Sequence, residues 1–237
     1  MTGKYSHIGI VAVSGPGAAL CYQTIVTEFE GLTGNRYEHP EVSMHSHSFK
    51  EYMDKIETGD WKGVSRLLLD SARKLAKIGA DFAICPDNTV HIAYDHVAKE
   101  SPIPWMHIAE EVAKEAVEHG YSRLAILGTK YLMESNVYPS RLAAHGLEWV
   151  IPSEKERQII NQIIFGELVY GVVKQESRKK LASIIKRLAE EEEADAAVLG
   201  CTELPLILDD KTSPIPVLDS TRILARRAMR RALEGER

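Results

Sequence analysis

An internal repeat constrains this chain more than any other feature. Residues 80–89, ADFAICPDNT, align without a gap on residues 194–203, ADAAVLGCTE, at an offset of 114. Ala80 meets Ala194, Asp81 meets Asp195, Ile84 meets Val198, and Asp87 meets Cys201. At the same offset Ile10–Gly15 meets Leu124–Thr129, and at an offset of 112 Ile103–Met106 meets Ile215–Leu218. Three landmarks in one order predict a duplicated structural unit. Each copy of the first landmark is a short apolar run ending in a group that can carry a proton.

The unit alternates strands with helices. Continuous apolar, β-branched runs predict strands at Ile8–Val13, Val42–His45, Phe82–Cys85, Leu124–Leu127 and Ala196–Leu199. Helical spacing of apolar residues predicts helices over Ala19–Phe29, Trp61–Ile78 with Gly79 as its stop, Glu110–His119, and around Leu181–Leu188. Strands that are apolar throughout and separated by helices imply parallel sheets covered on both faces, an α/β fold.

At 237 residues the chain can bury one large core or two ordinary ones. Its 27% charged residues are dispersed around a net charge of −5 without a basic block, which argues against nucleic acid or an anionic membrane as partner. No apolar run approaches the about 20 residues of a membrane span. The N-terminus lacks the cleavage site of a signal peptide and runs directly into a strand. Three cysteines, Cys21, Cys85 and Cys201, have neither CxxC nor His-paired spacing. That argues against a disulfide framework or a zinc site and for a cytoplasmic location.

In open parallel sheets, ligands bind outside the carboxyl ends of strands. Ser14-Gly15-Pro16-Gly17, Asp87-Asn88-Thr89, Gly128-Thr129 and Cys201-Thr202-Glu203 all stand at such ends. If the two halves face one another, these four loops converge on a crevice. A carboxylate and a thiol there would flank a small substrate, one removing a proton while the other donates one to the opposite face. With ordinary values of about 3.9 for Asp and about 8.5 for Cys, the resting pair is carboxylate plus thiol. Asn88, Thr89, Thr129 and Thr202 suit an anionic ligand, as do backbone N–H groups at helix N-termini.

The blocks GPGAA, HPEVSMHS, PDNTVH, GTKYLMES, LGCTELPLIL and IPVLDST run through nearly the whole chain. In that order they resemble the aspartate/glutamate racemase family, amino-acid racemases that work without pyridoxal phosphate. The resemblance implies two pseudo-symmetric α/β lobes with parallel sheets and the active site in the crevice between them. It assigns residues 1–100 with 216–237 to the first lobe and 101–215 to the second, and it implies a homodimer. It also implies a small amino acid as substrate, with neither cofactor nor metal. Where two-cysteine members carry one cysteine before Asn-Thr and another in GCT, this chain has Asp87 and Cys201. The resemblance therefore makes Asp87 and Cys201 the catalytic pair. Ser14, His45, Asn88, Thr89, Gly128, Thr129, Thr202 and Glu203 are the expected substrate contacts.

Cys85 aligns with Leu199 in the repeat and reads as a buried apolar group, as does Cys21 on its helix. Glu203 suits a thiol-orienting role, contact with a substrate's ammonium group, or simply the start of a helix. His45, His47, His91 and His107 read equally as structural hydrogen bonders. The Ser14–Gly17 stretch lacks GK[ST] and GxGxxG spacing and reads as a tight turn rather than a phosphate loop. Aspartate-selective relatives grip the distal carboxylate with basic residues, one of them an arginine after the second strand. No arginine occurs here between Arg36 and Arg66, and Val169 and Tyr170, with Lys174 nearby, fill the other basic position. A neutral or broader range of amino acids fits this as well as a dicarboxylate. Two alternatives keep the crevice: a one-cysteine decarboxylase or related one-sided proton-transfer enzyme, and a non-catalytic amino-acid-binding protein.

Overall fold

The computed structural model describes residues 4–235. In chain order the elements begin β1 (Ile8–Ala12), α1 (Gly15–Glu28), α2 (Glu30–Thr33), β2 (Val42–Ser46), α3 (Phe49–Ile56), α4 (Trp61–Lys77), β3 (Phe82–Ile84) and α5 (Tyr94–Glu100). They continue with α6 (Ile108–Glu118), β4 (Arg123–Gly128), α7 (Lys130–Met133), α8 (Val137–Ala144), β5 (Glu148–Val150) and α9 (Glu154–Gly166). The chain closes on α10 (Gln175–Glu192), β6 (Ala196–Gly200), β7 (Val217–Asp219) and α11 (Ser220–Glu234). Two compact units result, one of residues up to 108 together with those from 221 on, the other of residues 109–220.

The first unit holds a parallel sheet in the order β2-β1-β3, and the second a parallel sheet in the order β5-β4-β6-β7. The two-lobe, parallel α/β architecture expected from the sequence is thus present. β1 and β6 are buried at every position, as central strands of covered sheets must be. In the first unit Ile8, Ile10, Phe82 and Ile84 pack with α1 and with Leu224, Ala228 and Met229 of α11. In the second, Ala125, Leu127, Ala197 and Leu199 pack with apolar faces of α9 and α10. The C-terminal helix therefore completes the core of the first unit.

Equivalent hydrogen bonds recur in both units. The Asp81 N–H donates to His7 O and the Asp195 N–H to Arg123 O, each at 2.9 Å. Each aspartate carboxylate in turn accepts the N–H of that same residue, at 2.7 Å from His7 and 3.2 Å from Arg123. Ala83 bridges to Trp105 as Ala197 pairs with Val217, and the hydroxyls of Ser101 and Ser213 donate to Ile103 O and Ile215 O at 2.7 Å. Local contacts thus repeat where the sequence repeats.

Register refines one alignment. Ile8 pairs with Phe82 and Leu124 with Ala196, so the structural counterpart of Ile8 is Leu124. That offset, 116, is two larger than the sequence alignment of this strand. A two-residue slip keeps every side chain on its own face, which is why composition did not reveal it. A second correction concerns Ser14–Gly17. These residues form the cap and first turn of α1: Ser14 Oγ accepts the Gly17 N–H at 3.4 Å, and Pro16 sits in the first turn, where no N–H is required. The helix therefore begins four residues before the periodic apolar pattern does.

Candidate active site

In the first unit, β3 runs into Cys85-Pro86-Asp87, which opens a 3-10 turn over Thr89–Ala93. Asp87 is half-buried, and its Oδ1 accepts the N–H groups of Thr89 at 3.1 Å and Val90 at 3.4 Å. The carboxylate thus caps the turn that follows it. Asn88 and Thr89 are buried beside it, and Ser14 is buried at the end of the neighbouring β1. Cys85 is fully buried, and burial, reinforced by the Asp87 charge, pushes its thiol well above the usual range. Such a thiol is a poor nucleophile, as expected from its place in the repeat.

Two buried residues of the first unit were not singled out in the sequence. Tyr52 of α3 is 0% exposed, and its phenol is pushed up chiefly by burial, with the Asp87 charge adding to it. Ser71 of α4, also fully buried, meets His45 Nδ1 at 2.9 Å. The helical patterns of α3 and α4 carry no motif that distinguishes these residues from ordinary core. His45 is half-buried, and desolvation, with the Lys74 and His47 charges, lowers its pKa. Its ring nitrogen is tied to α4 rather than to a group of the Asp87 turn. His91 and His107 pack ring to ring at 4.7 Å, and His91 Nε2 meets Cys85 O at 3.1 Å.

In the second unit, Gly128 and Gly200 face each other as ladder partners at the ends of β4 and β6. A Cβ on Gly200 would stand 2.8 Å from Leu127 O and 2.6 Å from Leu132 Cδ2, and one on Gly128 2.9 Å from Gly200 O. Only glycine fits at either position. Thr129 then caps α7, its Oγ1 accepting the Leu132 N–H at 3.3 Å.

Cys201, directly after β6, is 9% exposed, and its thiol donates to Glu203 Oε2 at 2.9 Å. The same oxygen accepts the Thr202 hydroxyl at 2.7 Å. Thr202 and Glu203 are themselves buried. A carboxylate in contact with a thiol can act as a general base that takes its proton and gives it back. Contact with the thiol, one of the sequence readings of Glu203, is seen, and so is its place at the start of the 3-10 turn Leu204–Leu206. Behind this turn the Ser220 hydroxyl donates to Leu199 O at 2.8 Å, fixing the end of β6.

The residues expected at the site therefore fall into two groups. Ser14, Asn88, Thr89 and Asp87 stand at strand ends of the first sheet, with His45 on its edge strand; Gly128, Thr129, Cys201, Thr202 and Glu203 stand at strand ends of the second. A separate concavity of about 420 Å³, lined by Trp61, Lys62, Ser65, Ile92, Ala93, Asp95 and His96, includes none of them. Among the described residues no helix is long and apolar enough to cross a membrane.

Comparison with known proteins agrees with this architecture. The chain is 30% identical over 226 residues to the broad specificity amino-acid racemase RacX of Bacillus subtilis, covering 92% of this chain and 95% of that protein. An aspartate racemase homologue from Pyrococcus horikoshii superposes with a TM-score of 0.83 at 31% identity, over 96% of this chain and 99% of the other. A candidate Asp/Glu racemase from Yersinia pestis does so with a TM-score of 0.88 at 29% identity, again over 96% and 99%. The family model described as Asp/Glu/Hydantoin racemase matches residues 8–228, a span that contains both strand-end turns. With that match over most of its length, the chain belongs to the Asp/Glu/hydantoin racemase family.

Proposed function

We propose that the chain is a cofactor-independent racemase or epimerase of amino acids, in which Asp87 and Cys201 act on opposite faces of one Cα. The observation that carries this reading is their equivalence within the repeat, one after β3 and one after β6, strands that pair alike with β1 and β4. In one direction the Asp87 carboxylate removes the Cα proton while the Cys201 thiol delivers its own to the other face. In the reverse direction Cys201, as thiolate, removes the proton and protonated Asp87 donates. Between turnovers in one direction, Asp87 gives its proton to water while Glu203 relays one from water back to sulfur; the opposite direction reverses both transfers. Positioned acid/base groups of this kind each contribute about 10²–10⁴ in rate.

Ser14, Asn88, Thr89, Gly128, Thr129 and Thr202 would bind the substrate's carboxylate and ammonium through hydroxyls, amide and backbone N–H groups. A broad or neutral range of side chains suits the missing basic residues. Lys174, the cation nearest the second basic position, is paired with Glu167 at 3.2 Å. RacX, the relative at 30% identity, is itself named for broad specificity. Chiral chromatography over a panel of single enantiomers tests this. The expected result is conversion of several amino acids by the native chain and none by Cys201→Ser; no conversion of any panel member contradicts it.

One observation favours a second reading. Asp87 Oδ1 is engaged by two backbone N–H groups, as an anchoring residue would be. Cys201 alone would then deliver protons, and the reaction would be one-sided, as in a decarboxylase. Loss of CO2, or exchange at Cα without inversion, would identify it.

A further inference from the structure

On the edge of the first sheet, β2 ends in His45-Ser46-His47. The two histidines share a face of the strand direction and are both half-buried, while Ser46 between them is exposed. Their rings lie 4.9 Å apart at 78°. Asp70 of α4 faces them, and one ligand-type atom from each of His45, His47 and Asp70 lies within 4.8 Å of the other two.

His47 Nε2 is 2.9 Å from Asp70 Oδ2, so the imidazole and the carboxylate are in direct contact. A small outward shift would bring these two atoms to the about 3.4 Å that separates adjacent ligand atoms, each about 2.1 Å from a tetrahedral ion. Ser71 Oγ meets Nδ1 of His45 at 2.9 Å and fixes its ring, the kind of outer support that metal-binding imidazoles regularly have. The Asp70 side chain is 46% exposed, so an ion has a route in and positions open to water.

We propose that His45, His47 and Asp70 form a binding site for one divalent transition-metal ion of the zinc type. Two imidazoles and one carboxylate select such an ion over magnesium or calcium, which take all-oxygen sets. Lys74, with Nζ 2.6 Å from Asp70 Oδ2, is the competing cation, and its half-exposed side chain can swing out to solvent when the metal enters. The bound ion ties the end of β2 to α4. The site lies wholly within the first unit and does not depend on the racemase reading.

Zinc titration of the chelator-treated full chain, without a histidine tag, tests the proposal by calorimetry and by thermal melting. One equivalent should bind saturably and raise the melting temperature. His47→Gln and Asp70→Asn, both at partly exposed positions, should each weaken binding at least about tenfold. Lys74→Met should tighten it, and Cys201→Ser should leave it unchanged. Cobalt(II) in the site should lack a thiolate charge-transfer band. The proposal is overturned if zinc does not bind saturably, if binding survives His47→Gln combined with Asp70→Asn, or if Cys201→Ser removes it.

Discussion

The carboxylate of Glu203 accepts the thiol of Cys201 at 2.9 Å while the Thr202 hydroxyl holds the same oxygen at 2.7 Å. This turn gives sulfur a buried proton acceptor two residues away. Glu203→Gln keeps the shape and removes the acceptor charge. Turnover should fall about 10²-fold or more with little change in KM, since the lost group assists proton transfer and not binding. Steady-state kinetics in both directions checks this, and an unchanged kcat would take Glu203 out of the reaction.

The three thiols should differ sharply in reactivity. Cys21 and Cys85 are 0% exposed, and burial raises the Cys85 thiol, whereas Cys201 is 9% exposed beside a carboxylate. Alkylation of the native protein followed by mass spectrometry should modify Cys201 first and abolish turnover. Cys85→Ala should leave turnover intact while costing about 1 kcal/mol of stability, the scale of one small buried group.

Gly128 and Gly200 set the close approach of β4 and β6 just before Thr129 and Cys201. Gly200→Ala places a methyl within 2.8 Å of Leu127 O. Overpacking of this kind costs about 1–3 kcal/mol and shifts the strand end. Activity should fall by more than stability alone explains, which thermal melts and kcat measured well below the melting temperature can separate.

The ion pair between α9 and α10 gives a pH signature. Arg187 donates to both oxygens of Glu156, at 2.7 and 2.6 Å, and together with Ser153 holds that carboxyl down at about 2, against 4.5 ordinarily. A depressed carboxyl stabilises fully above its unfolded value and loses that contribution as pH falls through its folded value. Glu156→Gln should therefore cost about 1–2 kcal/mol at neutral pH. Denaturant unfolding at several pH values should show the gap between native and variant closing as pH falls from 4.5 toward 2.

The repeat made the architecture legible because buried parallel strands must be apolar throughout, and the same apolar runs recur in both halves. Ser14 and Thr129 were legible as strand-end polar residues, but their capping of α1 and α7 was not, since Gly15-Pro16-Gly17 carries no helical periodicity. The two-residue register shift of β1 against β4 left no compositional trace. Tyr52 and Ser71 looked like core because the sequence does not reveal which buried hydroxyl lies near a titrating group. The link between Glu203 and Cys201 was one of three readings, and the turn after β6 shows it together with the place of Glu203 at the start of a 3-10 helix.

The central claim is that two groups exchange protons at one carbon. A single enantiomer of a turned-over amino acid, incubated in deuterated water, tests it most directly when chirality and α-deuterium are followed together. The native chain should yield the opposite enantiomer carrying solvent deuterium, and Asp87→Asn and Cys201→Ser should each stop inversion. Exchange of the α-hydrogen without inversion, or inversion that survives either substitution, would contradict the account.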